Sequence, residues 1–411
     1  MKKTVTIILL MISIALSCGD ANNVNQNKID LININLDHLN FLSESITFAS
    51  EEVLIIHIYS EYPDYVYVAA DGEGISAVDD VARAVLVYLK YYEQFGGDDF
   101  LLRAKKGLRF ILSMQASDGE FYNFINEDHT INRNGITSIK SFNWWAIRAI
   151  RAMAYGYKVF NLNQSTFADS LKTSLERTFP HIDIWISNYG NYNLNSPYKT
   201  PGWLINQAGD QTSELVLGLI DYFHATGDEV VKEYIRKLTN GLVDFQIREG
   251  NFAGAHLSWQ NIWHAWGAHQ VQAIAKAYKI FNDENWLVSI NAGAGFYSKI
   301  VLDGHLNELE FRSADSVNVK KFPQIAYGIH AITSGLMEAF LVTGNDDYRK
   351  NMNRALEWFS GQNAVNVVMY DSTTGRTFDG IGENGVNRNS GAESTIEALL
   401  TFLELKEKGF L

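Results

Sequence analysis

Two kinds of helical segment alternate along this chain, and that alternation restricts the fold more than any other feature. Val78 to Phe95 is apolar on nearly every side, a pattern suited to a helix covered all round. Phe100 to Met114, just after it, is amphipathic. Leu101, Ala104, Leu108, Ile111 and Leu112 share one face, and Arg103, Lys105, Lys106 and Arg109 share the other. The contrast returns between Glu214–Thr226 and Val230–Ile247, where Val231, Tyr234, Leu238, Leu242 and Phe245 oppose Lys232, Glu233, Arg236 and Lys237. A buried helix followed by a half-exposed one predicts an inner ring of helices inside an outer ring. With 46% hydrophobic residues and only 5 prolines, the composition suits such an all-α body.

The turns between partners are self-similar. They read FGGDDF around Gly97, VFNLNQ around Asn161, ATGDEV around Gly227, IFNDEN around Asn282 and VTGNDD around Gly344, at intervals of roughly 55–65 residues. Five such turns imply five helical hairpins. A sixth is expected from the C-terminal helix, Glu393 to Lys408, packed beside a first helix over Leu36 to Phe48, which closes a circle. The segment from Glu52 to Ala70 alternates apolar and polar residues around Pro63 and is predicted as two short strands or extended stretches. A second echo marks the ends of the outer helices: FILSMQASDGEFYNF, LVDFQIREGNF and, more faintly, WFSGQ. The paired-helix period and this Gln-x-x-Asp-Gly-x-aromatic exit resemble the (α/α)6 toroids, the six-hairpin superfamily that includes glycoside hydrolases, polysaccharide lyases and sugar epimerases. The resemblance covers nearly all of the chain after Leu36 and implies a toroid domain over residues 35–411, with a cleft where loops enter the inner helices. Terpene cyclases and prenyltransferase subunits share the ring, so it does not by itself decide function.

The formal net charge is -13 and no basic stripe interrupts it, which argues against nucleic acid as a partner. At the N-terminus, Lys2 and Lys3 precede an apolar run from Val5 to Leu16 that is too short to span a membrane. This reads as a signal peptide over residues 1–17. Ala15-Leu16-Ser17-Cys18 resembles a bacterial lipobox, and Cys18 is the chain's single cysteine. Lipidation of Cys18, a tether over residues 18–34 and a place in the cell envelope, anchored to the membrane by lipid, are the resulting expectations. A plain signal peptide with an incidental cysteine is the alternative.

Six long loops are expected at the cleft: Asp71–Asp80, Asn132–Asn143, Thr200–Glu214, Asn251–Trp263, Arg312–Gln324 and Phe378–Glu393. Saccharides need flat apolar faces and planar hydrogen-bonding groups. Trp144, Trp145, Trp203, Trp259, Trp263 and Trp266 stand in or beside these loops among Asn132, Asn143, Asn206, Gln207, Gln260 and Asn261. Trp145 and Trp266 also fit packing between the rings, whereas Trp203 and Trp259 have polar neighbours. Glycosidic hydrolysis needs a carboxylic acid and a carboxylate. Candidates are Glu73, Asp79, Asp80, Asp210, Glu214, Glu383 and Glu393. Asp79, Asp210 and Ser390 fit helix capping equally well, and Arg83 is placed to make an ion pair with Asp80 or Asp79.

His256, His264 and His269 match no zinc spacing, and no P-loop, dinucleotide fingerprint or nucleophile elbow is present, so no metal and no cofactor are expected. Arg133, Arg312, Lys320, Lys321 and Arg388 fall in the same loops and would suit a substrate bearing carboxylates. Taken together, the sequence predicts a saccharide-active enzyme outside the cytoplasm, in the first place a glycoside hydrolase. Its acid and base come from Asp80, Asp210 and Glu393, and its binding residues are Glu73, Asp79, Trp144, Trp203, Trp259, Trp263, His264 and Arg388. A lyase or epimerase on uronate-containing glycan, and a non-catalytic glycan-binding lipoprotein, are the alternatives.

Overall fold

The computed structural model describes residues 32–163, 165–194, 197–313 and 316–411. The predicted leader, Cys18 and the tether up to residue 31 lie outside these. Among the described residues, no helix is long and apolar enough to cross a membrane.

The inner ring consists of α2 (Val78–Phe95), α4 (Trp144–Phe160), α7 (Gly209–Thr226), α9 (Gln270–Phe281), α11 (Ala326–Thr343) and α13 (Ala392–Glu407), after a short α1 (Asp37–Leu42). Each inner helix packs on the next, and α13 packs on α2, so the ring closes. Outside it lie α3 (Asp98–Met114), α5 (Thr166–Glu176) with α6 (Phe179–Ile186), α8 (Glu229–Asp244), α10 (Glu284–Asp303) and α12 (Asp346–Leu356).

The repeated turns have a local cause. Gly227 and Gly344 end α7 and α11 in the left-handed conformation (φ 67° and 70°), and Asn282 does so after α9 (φ 53°). The next outer helix then begins on a capping side chain: Asp228 accepts from the Val230 amide, Asp283 from Asn285 and Asn345 from Asp347. The Gln of the second echo also has a job. Gln115 Nε2 donates to the Ser174 carbonyl and Gln246 Nε2 to the Ser289 carbonyl, each tying an outer-helix exit to the next outer helix.

One expectation needs correction. The stretch from Leu36 to Phe48 is helical only to Leu42; Ser43–Phe48 is a strand, β1, paired with β2 (Glu51–Ile56) through Ala49 and Ser50, both at positive φ. Alternating Ile46 and Phe48 face inward, and a period of two cannot serve a helix. The sixth outer place is therefore filled by α1, which packs on α13, together with the β1–β2 hairpin against α3. The extended reading of the following segment holds, with β3 (Tyr59–Glu61) paired to β4 (Val66–Val68). The loop expected from Arg312 contains structure as well. β5 (Ile262–His264), β6 (Glu308–Ser313) and β7 (Ser316–Lys320) form an antiparallel sheet, with Leu309 and Phe311 turned into the core.

The inner helices are also less apolar than they read. Along the barrel axis Arg83 meets Glu397 (2.7 Å), His330 meets Glu397 (2.6 Å), Arg151 meets Glu214 (2.7 Å), and Glu404 accepts from Gln272 (2.9 Å) and Ser334 (2.7 Å). All six inner helices contribute to this buried column. It is affordable only because nearly every charge has an opposite partner. Close helix approach supports it: a Cβ on Gly218 of α7 would lie 2.8 Å from the Arg151 Cα of α4. Gly218→Ala is accordingly expected to destabilise the fold by about 1–3 kcal/mol through overpacking, despite the better helix propensity of Ala. A urea midpoint equal to or above that of the wild type would refute this.

Candidate active site

All six inner helices begin at the same end of the barrel, and their first turns supply its polar residues: Asp79 and Asp80, Trp144, Asp210, Gln270 preceded by His269, Tyr327, and Glu393. Converging helix N-termini favour negative charge there. Two linked sub-sites result.

The first is a pocket of 280 Å3 walled by Trp144, Trp259 and Trp266 and edged by Asn206, Gln211, Asp210, His264 and Glu308. Trp259 is 46% exposed and offers a free ring face. Strand β5 carries His264, held opposite Glu308 of β6 by the sheet register. The imidazole lies flat on Trp266, with ring centroids 3.5 Å apart. Its Nε2 is 3.0 Å from Asp210 and its Nδ1 is 2.5 Å from the Trp266 carbonyl. Both ring nitrogens lie within hydrogen-bonding distance of oxygen atoms, and these two contacts with the Trp266 stack fix the ring in place. Its part is to hold Asp210, which also accepts from the Gln211 amide at 2.6 Å. Asp210 forms no N-cap on α7.

The second sub-site is a recess beside Arg83. Four carboxylates lean on this one guanidinium: Glu397 at 2.7 Å, Asp80 at 2.8 Å, Glu393 at 3.3 Å and Asp79 at 3.8 Å. Arg148 also pairs with Asp79 and His330 with Glu397, so Asp80 and Glu393 are the two that share Arg83 without a second cation in contact. Desolvation pushes the Asp80 carboxyl up to about 7 against the pull of Arg83, and it raises that of Glu393 as well. Their accessibility differs. Asp80 is buried, but Glu393 keeps 45% of its side chain open although it lies deep in the protein. That combination marks a group on a cleft floor rather than one packed in a core. Arg148 joins the two sub-sites. It pairs with Asp79, donates to the Tyr327 hydroxyl at 2.7 Å, and lies 4.9 Å from the centre of the Trp144 ring.

The expected site residues divide accordingly. Asp210, His264, Trp144 and Trp259 share the pocket, and Asp79, Asp80 and Glu393 share the recess. Asp80, expected to touch ligand, is buried at 6% exposure, and of the two carboxyl groups on Arg83 it is Glu393 that is open. Trp203 and Trp263 are corrected too: at 2% and 0% exposure they have no face to offer. Trp203 donates to the Lys237 carbonyl at 2.8 Å and packs on Tyr189, and Trp263 packs edge-on against Phe296. Arg388 stacks over Tyr62 and Phe378, away from both sub-sites, and Glu73 lines a separate hollow. Glu214 is spent on Arg151. Trp266, read from the sequence as either sugar-facing or packed between the rings, lines the pocket. Arg148 and Tyr327 were not among the expected site residues; an Arg one turn after the Trp144 that opens an inner helix was the available signal.

No protein-family model and no curated sequence matches the chain, but solved structures do. A cellobiose 2-epimerase from Bacillus thermoamylovorans B4167 superposes with a TM-score of 0.63 at 13% identity, over 93% of this chain and 99% of that one. A D-mannose isomerase gives 0.64 at 10% identity, over 94% and 98%. A family 9 endoglucanase, J30, gives 0.51 at 13% identity, over 92% and 84%. At such identities the likeness is one of fold, and the chain is an (α/α)6 toroid over nearly its full length.

Proposed function

We propose that this protein is a saccharide-active enzyme that works by acid–base chemistry between two carboxyl groups, most simply hydrolysis of a glycosidic bond. The observation that carries the reading is the contrast in their settings. Asp210 is an acceptor held by the His264 ring and the Gln211 amide. Glu393 is desolvated, raised and reachable. Two carboxyl groups in environments that differ in this way suit a base and an acid respectively. Glu393 protonates the leaving oxygen, Asp210 serves the anomeric carbon or its attacking water, and the sugar ring lies between Trp144 and Trp259.

A second reading is sugar epimerisation or isomerisation. It is supported by the fuller superposition on an epimerase and an isomerase than on an endoglucanase. Here the same carboxyl groups move a proton on a carbon beside the carbonyl, with Arg148 near the developing oxyanion. Incubation in D2O with a panel of oligosaccharides separates the two. New reducing ends without deuterium on carbon are expected for the hydrolase, and deuterium at C2 without cleavage supports the second reading. Neither product from any member would defeat both and leave a binding protein. The basic, apolar and Cys18 pattern of the leader supports action at the cell envelope.

A further inference from the structure

β3 carries Tyr59, whose neighbours Ile58 and Ser60 are both buried and accept backbone hydrogen bonds from Ala392 (2.8 Å) and Ser390 (3.0 Å), the residues that lead into Glu393. Alternation along the strand then turns Tyr59 the other way, and it is 47% exposed. Across the hairpin Tyr59 is paired with Val68. From Val68 the chain enters the 71–74 loop, which with the 126–134 loop bounds a hollow of 790 Å3. That volume is within the ~300–1,000 Å3 typical of ligand sites.

The hollow is preformed. Asn132 Nδ2 donates to the Glu73 carbonyl at 2.6 Å and the Gly72 carbonyl at 3.3 Å, and a side chain on Gly74 would strike the Ile125 carbonyl. Its lining includes Asn134 and the bonded pair Asn126 and Thr130 (3.0 Å), whose remaining lone pairs and N–H can meet hydroxyl groups, and it sets Asp71, Glu127 and Glu73, which accepts from Thr137, against the single lining cation Arg133, which lies 4.3 Å over the Tyr122 ring. In the recess, Arg83 is already committed to carboxylates. Lys320, one of the cations that would have suited a uronate, is paired with Glu308.

We infer that the hollow between the 71–74 and 126–134 loops, with Tyr59 as its approach, is a distal binding site for further sugar units of the substrate, and that these units carry no carboxylate. Tyr59 supplies a ring face between the reacting sugar and the hollow, and the acidic lining repels uronates. The inference rests on the proposal that the substrate is a saccharide.

The test is calorimetric titration of the wild type with gluco-, manno- and xylo-oligosaccharides of two to six units, and with oligogalacturonates of equal length. For at least one neutral series, affinity is expected to rise about tenfold or more between two and five units, with no such gain for oligogalacturonates. In Tyr59→Ala, and separately in Arg133→Ala, that ratio of long-chain to short-chain affinity is expected to fall several-fold. Both residues are surface-exposed, and a melting curve checks that each variant is folded. Affinity independent of length in every neutral series, an equal gain for oligogalacturonates, or an undiminished ratio in both variants overturns the inference. Turnover is scored separately. A length gain without any reaction defeats the proposed chemistry and leaves the distal site, and reaction without a length gain defeats the site alone.

Discussion

Glu393→Gln is expected to lower turnover by about 10²–10⁴-fold while substrate affinity changes little, because the amide keeps the shape of the side chain and loses the proton it delivers. The pH profile gives the same residue a second signature. Desolvation holds the Glu393 carboxyl above its usual range, so its acid form persists to higher pH than that of an ordinary glutamate. Activity is then present below the raised pKa and lost as pH rises through it, and the variant loses that alkaline limb. Asp210→Asn should lower turnover strongly while its residual activity keeps the alkaline limb, since that limb belongs to Glu393. His264→Gln should act more mildly, by loosening Asp210. Steady-state rates across pH on the saccharide found by the D2O panel provide the check. A Glu393→Gln enzyme within tenfold of the wild-type rate would remove Glu393 from the chemistry.

The second large effect concerns stability and arises in the axial column. Burial alone would lower the His330 imidazole, but its bonds to Glu397 and Glu404 raise it to about 9, and the same contacts with Arg83 hold Glu397 down at about 2. Glu397 contributes stability in full above about 4.5 that is lost as pH falls toward 2. His330 contributes stability in full below 6.5 that is lost as pH rises to about 9. Asp80 adds an earlier loss, because a buried carboxyl raised from 3.8 to about 7 penalises the ionised form as pH climbs between those values, before the His330 window opens. Stability should therefore peak on the acid side of neutrality. The decline from 6.5 to 9 due to His330 is about 3 kcal/mol, taking 1.36 kcal/mol per pKa unit. Urea unfolding at a series of pH values tests it. His330→Gln should be less stable at pH 6 and should show a flatter slope from 6.5 to 9; an unchanged slope would exclude His330 as its source.

The rings were legible in the sequence because burial on all sides and burial on one side leave different residue patterns. The repeated Gly-Asp turns were legible because only certain residues end one helix and cap the next. The polar column was harder to see. Glu393, Glu397 and Glu404 sit on an otherwise apolar helix, and nothing local says whether such acids face water or an arginine on the opposite wall. For the same reason Trp203 and Trp259 looked alike, each an indole among polar neighbours ahead of a helix. One proved to be sealed under Tyr189, and the other stands open at the pocket.

By itself, then, the sequence determined the alternation of inner and outer helices, the end at which the long loops gather, and the residue types available there, since all three depend on local periodicity and turn chemistry. Only the tertiary structure decided which acids are open and which are spent. Arg83 binds carboxylates from α2 and α13, hundreds of residues apart in the chain. His264, carried by β5 where that strand pairs with β6, reaches Asp210 at the start of α7. Whether a carboxyl group keeps its proton depends on those distant partners and on the water excluded around it, and both exist only once the ring has closed.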